Sequence, residues 1–232
     1  MRKKKWCALG LAVLMAVSAT GCSKKSSDTE EQNVTSIYET EDMKLDTNIM
    51  AVGEEEVTLN EMLFYMYQLK ATYDGSLTSE VWNFKLDENE TIESYAKDEM
   101  LKEIAQIKII CQQAKEQECQ LSEEEANEAS VKAGKYVEAI PESAKEFNLT
   151  KELVEKIYQE HALAKKMYDV VAGTVDTHVS DDEAKTTEEK EKVIKERETK
   201  AFKKAYATWK ENYKIVVSST LLDQISFEDE GK

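Results

Sequence analysis

The side chains able to do chemistry are few. There are two histidines, His161 and His178, four cysteines, Cys7, Cys22, Cys111 and Cys119, and three acidic runs, Glu54-Glu55-Glu56, Glu123-Glu124-Glu125 and Asp181-Asp182-Glu183. A zinc site draws three or four ligands at short spacings, and no Cys or His pair here has that spacing. A thiol nucleophile needs a base beside it. Cys111 and Cys119 with His161 would be the set, yet nothing in the local sequence joins them. No two glycines beyond the first 21 residues lie within six positions of each other, so there is no phosphate-cradling loop. Acidic runs at helix starts serve capping boxes and the helix dipole rather than calcium. The expectation is therefore no catalytic residue, no metal and no cofactor, with His161 and His178 surface-lying or partly packed.

Cys22 stands apart because of what surrounds it. Arg2, Lys3, Lys4 and Lys5 form a basic start, Trp6 to Val17 carries no charge, and small residues lead into Ala19-Thr20-Gly21-Cys22. The apolar run is too short to span a bilayer and has the layout of a secretory signal peptide, here 1–21. The last four residues resemble a lipobox, which implies lipidation of Cys22 and an anchor on the outer face of the cell membrane; Ala19 stands where that motif usually has Leu or Val. Several acyl chains on one cysteine give stable anchoring where a single chain is marginal.

Loss of residues 1–21 would remove four of the 31 basic residues and none of the 47 acidic ones, taking the charge from −16 to −20. Such a surface repels nucleic acid and anionic headgroups. Neither nucleic acid nor a small-molecule cofactor is expected as a partner. Residues 22–47 are polar, acidic and without apolar periodicity, and are read as a flexible tether. With Cys7 removed and Cys22 acylated, Cys111 and Cys119 alone remain. Eight residues along one helix separates them by about 12 Å at ~1.5 Å per residue, beyond the roughly 7 Å a disulfide tolerates. Two free thiols are expected.

One proline, Pro141, and a charged fraction of 34% point to long helices with few turns. Ile49 to Val52, then Gly53-Glu54, then Glu55 to Val57 reads as a short hairpin. Thr58 with Glu61 predicts a capping box that opens an apolar, buried helix through Met62, Phe64, Tyr65, Met66 and Leu69. A second helix is predicted from Thr91 to Glu118, with Met100, Ile104, Ile107, Cys111 and Ala114 as its stripe. Ser122 with Glu125 opens a third, to about Val137. Asn148-Leu149-Thr150 opens a fourth that stops at Gly173, and Ser180 with Glu183 is read as capping a fifth. The charged stretch 185–200 is read as a solvated helix or linker. Phe202, Tyr206, Trp209 and Tyr213 then dock a C-terminal helix, Lys214 to Ser218 is strand-like, and Leu221 to Ile225 is a closing helical turn.

This order resembles the SurA/PrsA-type extracytoplasmic chaperones. Ala51-Val52-Gly53-Glu54 through Leu59-Asn60-Glu61 is similar to their N-terminal opening. The long helix followed by Leu121-Ser122-Glu123-Glu124-Glu125, and the later His178-Val179-Ser180-Asp181-Asp182-Glu183, are similar to their two capped repeats. Two positions depart: Val52 replaces an asparagine, and the usual glycine ending the long helix is replaced around Glu118-Cys119. Catalytic members carry a parvulin prolyl isomerase domain after the second repeat. Here 17 residues, Lys185 to Ala201, hold no histidine, glycine or aromatic.

The resemblance implies a mainly α fold: a multi-helix SurA/PrsA N-terminal-like domain, 48–227, with a small β element joining its N- and C-terminal segments, then a tail, 228–232. It implies a membrane-anchored extracytoplasmic lipoprotein acting as a non-catalytic chaperone or holdase for unfolded or extended secreted proteins, and not an enzyme. Tyr73, Trp82 and Phe84 are the expected client-binding residues, because exposed aromatic side chains mark promiscuous apolar contacts. The alternative is a structural adaptor holding one specific surface or membrane protein.

Overall fold

The computed structural model describes residues 44–73, 79–88, 90–140 and 149–227. The expected signal peptide, Cys22, the tether as far as residue 43, Pro141 and the tail 228–232 lie outside the described residues.

The expected hairpin is present. Strand β1 (Asn48–Val52) turns through Gly53-Glu54 into β2 (Glu55–Thr58). Gly53 has a φ of +59° at the first turn position, where a two-residue hairpin favours glycine. A Cβ there would stand 2.6 Å from Gln112 Oε1 and 2.7 Å from the Tyr213 ring. Glycine is thus required both by dihedral angle and by space. Strand β3 (Ile215–Val217), from the far end of the chain, pairs antiparallel with β1 and places Met50 opposite Val217 and Val52 opposite Ile215. The sheet order is β2-β1-β3, so the small β element joins the two ends of the fold as expected.

Helix α1 (Leu59–Tyr73) follows β2 directly, and its start corrects the sequence reading. Thr58 donates its hydroxyl to Asn60 Oδ1 at 2.6 Å, and Glu61 turns into the interior at 1% exposure. The expected Thr58–Glu61 box is replaced by backbone. Leu59 N–H donates to Thr47 O at 2.8 Å and Asn60 N–H to Leu45 O at 2.9 Å. Residues 44–47, within the stretch read as tether, are thus part of the folded unit, because their turn supplies the carbonyls that the helix start needs.

A 3₁₀ turn (Ser79–Asn83) precedes α2 (Ile92–Glu116), which is opened by a Thr91–Ser94 capping box. Helix α3 (Glu123–Ala139) starts with the expected Ser122–Glu125 box, and α4 (Lys151–Ala172) has Thr150 as its cap. The Ser180 to Glu183 run makes a single turn instead of a helix. The helix starts later, at α5 (Thr187–Lys210), on a Thr186–Glu189 box. Segment 185–200 is thereby helical from Thr187 and continuous with the aromatic stretch beyond it. A one-turn helix α6 (Ser219–Leu222) closes the chain. The protein is mainly helical with a small three-stranded sheet.

The core forms where these elements converge. Met62, Phe64 and Met66 of α1, Ile104 and Ile109 of α2, Val154 and Ile157 of α4 and the inward residues of the sheet make the main cluster. Each such side chain contributes about 1.5–3 kcal/mol on burial. A smaller cluster joins Ile107 and Ile110 of α2, Met167 of α4 and Phe202 of α5, and Tyr206 and Trp209 touch both. That contact docks the C-terminal helix as its aromatic spacing predicts. Helix α3 buries only Ala129 and Ala133, small residues that let it lie close against α4. Among the described residues no helix is long and apolar enough to cross a membrane.

Candidate functional site

The core holds a polar seam where α1, α2 and α4 meet. Glu61 and Tyr65 lie one turn apart on α1, Lys108 and Cys111 on α2, and Lys156, Glu160 and His161 on α4. Lys108 Nζ donates to both Glu160 carboxylate oxygens at 2.7 Å. It also lies 2.6 Å from Glu61 Oε1, an ionic contact without hydrogen-bond alignment. The side chains of Glu61 and Lys108 are each 1% exposed. Lys156 Nζ reaches Glu61 Oε2 at 3.1 Å from the surface side. Two carboxylates and two ammonium groups thus balance.

Burial pushes Lys108 toward losing its proton, but the facing Glu160 and Glu61 carboxylates outweigh it and hold the ammonium above its ordinary range. Burial raises Glu160, with Lys108 opposing. Cys111 is pushed up to about 12, mainly by burial and then by the Glu160 charge. It stays a thiol and donates to Glu160 O at 3.5 Å. His161 Nε2 lies 3.2 Å from the Tyr65 hydroxyl, and burial, then the Lys108 charge, lowers its pKa to about 4. Glu103, earlier on α2, is raised to about 7 by burial.

This chemistry is that of a clamp. Glu61, Lys108 and Glu160 have each lost several kcal/mol of hydration, which only partners in good geometry offset. The thiol is not a thiolate, the imidazole is neutral, and the ammonium is committed to two carboxylates. The seam fixes the register of three helices instead of presenting a reactive group. Sequence reasoning missed the seam and took Glu61 for a cap, whereas His161 is partly packed, within what was expected of it. One signal was available, since Lys108 interrupts the apolar run Ile107 to Ile110, where a lysine needs a partner.

The expected client-binding residues separate. Trp82 is a correction: it is 6% exposed and its ring stacks on Phe227 at 4.7 Å, so it belongs to the core. The C-terminal segment, which the sequence reading did not bring to this loop, covers it. Phe84 is 64% exposed. Tyr73 ends α1, and its side chain lies outside what is described. Leu86 and Tyr95, not singled out from sequence, are also exposed, two and eleven residues after Phe84. Backbone bonds tie the segment to the start of α2, with Ile92 N–H bonded to Phe84 O at 3.0 Å and Leu86 N–H to Glu90 O at 2.8 Å.

Several of the remaining chemical groups have structural roles. Cys111 and Cys119 are free thiols, as expected. Glu125 caps α3 and binds Lys166, and the Lys166 ammonium, then the Ser122 contacts, lower its pKa to about 2. Asp181 pairs with Lys190 at 2.6 Å. Arg197, the one arginine after Arg2, donates to Asp176 O at 2.9 Å, His178 O at 2.7 Å and Glu183 Oε1 at 2.6 Å. Its planar fork straps the 176–183 segment onto α5, a task lysine performs poorly. A shallow hollow of about 410 Å³ lies beside that strap, lined by charges of both signs. Among the described residues no group of three His, Cys, Asp or Glu side chains is placed to hold a metal.

Comparisons of the chain with protein families, with curated proteins and with solved structures found no match.

Proposed function

We propose that the chain is an extracytoplasmic lipoprotein, anchored in the cell membrane through Cys22, that acts as a non-catalytic chaperone or holdase for secreted proteins. The observation that carries this reading is the clustering of exposed apolar side chains. Of five large ones left exposed among the described residues, Phe84, Leu86 and Tyr95 lie within one twelve-residue segment. Exposed apolar side chains close together in sequence, held by backbone hydrogen bonds between 84–86 and 90–92 and interspersed with charge, support a protein-binding surface. Scattered singly, they would need no explanation. The order of elements also supports the SurA/PrsA-type resemblance, with an opening hairpin, a long helix, an antiparallel helical pair and a closing strand that returns to the hairpin.

The non-catalytic part draws on two features. A single charged helix, α5, links the 180–183 turn to the closing strand, where catalytic members insert their isomerase domain. The buried charges of the seam, Glu61, Lys108 and Glu160, are committed to one another. A few apolar contacts give weak, exchangeable binding, each worth about 1–2 kcal/mol, which suits a holdase that must release its clients.

The test is suppression of aggregation of an unfolded secreted protein at stoichiometric ratio, run beside a prolyl isomerisation assay on a proline-containing peptide. Suppression without faster isomerisation is expected. Accelerated isomerisation would overturn the non-catalytic part, and absence of any suppression the holdase itself. The small size of the patch favours the adaptor as second reading. Pull-down from membranes returning one stoichiometric protein, instead of many unfolded ones, would establish it.

A further inference from the structure

Phe84, Leu86 and Tyr95 do not sit in neutral surroundings. Between residues 84 and 99 the chain carries Asp87, Glu88, Glu90, Glu93, Asp98 and Glu99 against Lys85 and Lys97. Glu93 is neutralised by Lys97 at 2.8 Å and Glu99 by Lys102 at 2.9 Å. Glu88, Glu90 and Asp98 have no ion-pair partner among the described residues, and Glu88 and Asp98 are exposed. The local field is therefore negative, on a protein whose formal charge is already −16. An apolar segment flanked by acidic residues would be repelled on approach. One flanked by lysine or arginine would be drawn in and find partners for the free carboxylates.

Resting on the holdase reading above, we infer that the Phe84–Leu86–Tyr95 surface selects extended polypeptide segments whose apolar residues are flanked by lysine or arginine. The apolar trio supplies the contact, and Glu88, Glu90 and Asp98 supply the choice. The base needs no rearrangement to present them, because Trp82, two residues before Phe84, is fixed in the core by Phe227.

The test uses the chain purified from membranes in mild detergent, and two short fluorescent peptides with the same apolar residues. One carries lysines at the intervening positions and the other glutamates. The lysine peptide is expected to bind roughly tenfold tighter at low ionic strength, with the gap closing near 1 M salt, where screening acts within about 3 Å. Phe84→Ser with Leu86→Ser and Tyr95→Ser weakens both peptides while leaving the unfolding midpoint in place. Glu88→Lys with Asp98→Lys, which touches no core residue, inverts the preference. Equal binding of the two peptides overturns the inference and leaves the holdase standing. Binding of neither, together with failure to suppress aggregation, overturns both. A concentration-dependent dimer abolished by the triple substitution would assign the patch to a second copy of this chain and overturn the inference as well.

Discussion

The imidazole of His161 is hemmed in by the Tyr65 hydroxyl on one side and the Lys108 charge nearby, with its Nδ1 buried and unpartnered. Burial and that cation both oppose its protonation, so its folded pKa of about 4 lies below the ordinary value of about 6.5 for an exposed imidazole. A base with a depressed folded pKa favours the fold while neutral. Its contribution is therefore full above pH 6.5 and is lost as the pH falls toward 4. The loss amounts to roughly 2–3 kcal/mol. Urea unfolding from pH 7 to pH 4 should show the wild type losing that much more stability than His161→Gln. Equal slopes for the two proteins would mean that the imidazole protonates without penalty. Glu103 acts oppositely, since its raised pKa of about 7 gives stability below pH 4.5 that is lost as the pH climbs through 7. Comparing the two proteins removes this shared background.

Helix ends carry much of the architecture, and most were legible. Ser122 with Glu125, Thr150 and the Gly53-Glu54 turn are local devices that read directly from residue type and spacing. The failures were also local rules, overridden by distant partners. Thr58 and Glu61 have the spacing of a capping box, but the carbonyls of Leu45 and Thr47 reach the helix start first, and Lys108 claims the glutamate. Nothing within a few residues of Glu61 announces Lys108. The end of α2 shows a third situation. Glu118 takes φ +55°, Cys119 N–H bonds Ala114 O at 2.8 Å and Glu118 N–H bonds Lys115 O at 3.2 Å. This is a Schellman ending, where glycine is preferred and any other residue strains. It falls where the resemblance already expects a glycine. Glu118→Gly should accordingly stabilise the protein by about 1 kcal/mol, seen as a higher urea midpoint at unchanged slope. A lower midpoint would mean that the Glu118 side chain supports the turn in some other way.

At the scale of the whole molecule, the closing segment does more than end the chain. Phe227 is fully buried against Trp82, and Ile225 and Leu221 are buried with it. Removing the ring by Phe227→Ala leaves a cavity beneath the 3₁₀ turn and should cost about 3–4 kcal/mol, measured by denaturant unfolding. A cost under about 0.5 kcal/mol would show that the segment merely rests there. The aromatic pair also explains what sequence could say about the surface. Trp82 and Phe84 look alike in a loop between helices, and only the covering residue from the far end tells them apart. Phe84 was found from sequence, whereas Leu86 and Tyr95 were not, because exposure of a residue depends on what fails to cover it.

The central strand of the sheet is the first of the described elements to be synthesised, and the strand that completes it follows only after five helices. Met50 waits for Val217, and Ala51 for Val216. A growing chain must therefore hold one raw edge of β1 open while α1 to α5 assemble, with Trp82 bare until Phe227 arrives. On this account a protein proposed to shelter unfinished chains passes through its own long unsheltered interval, during which its newest residues decide whether its oldest ones stay soluble.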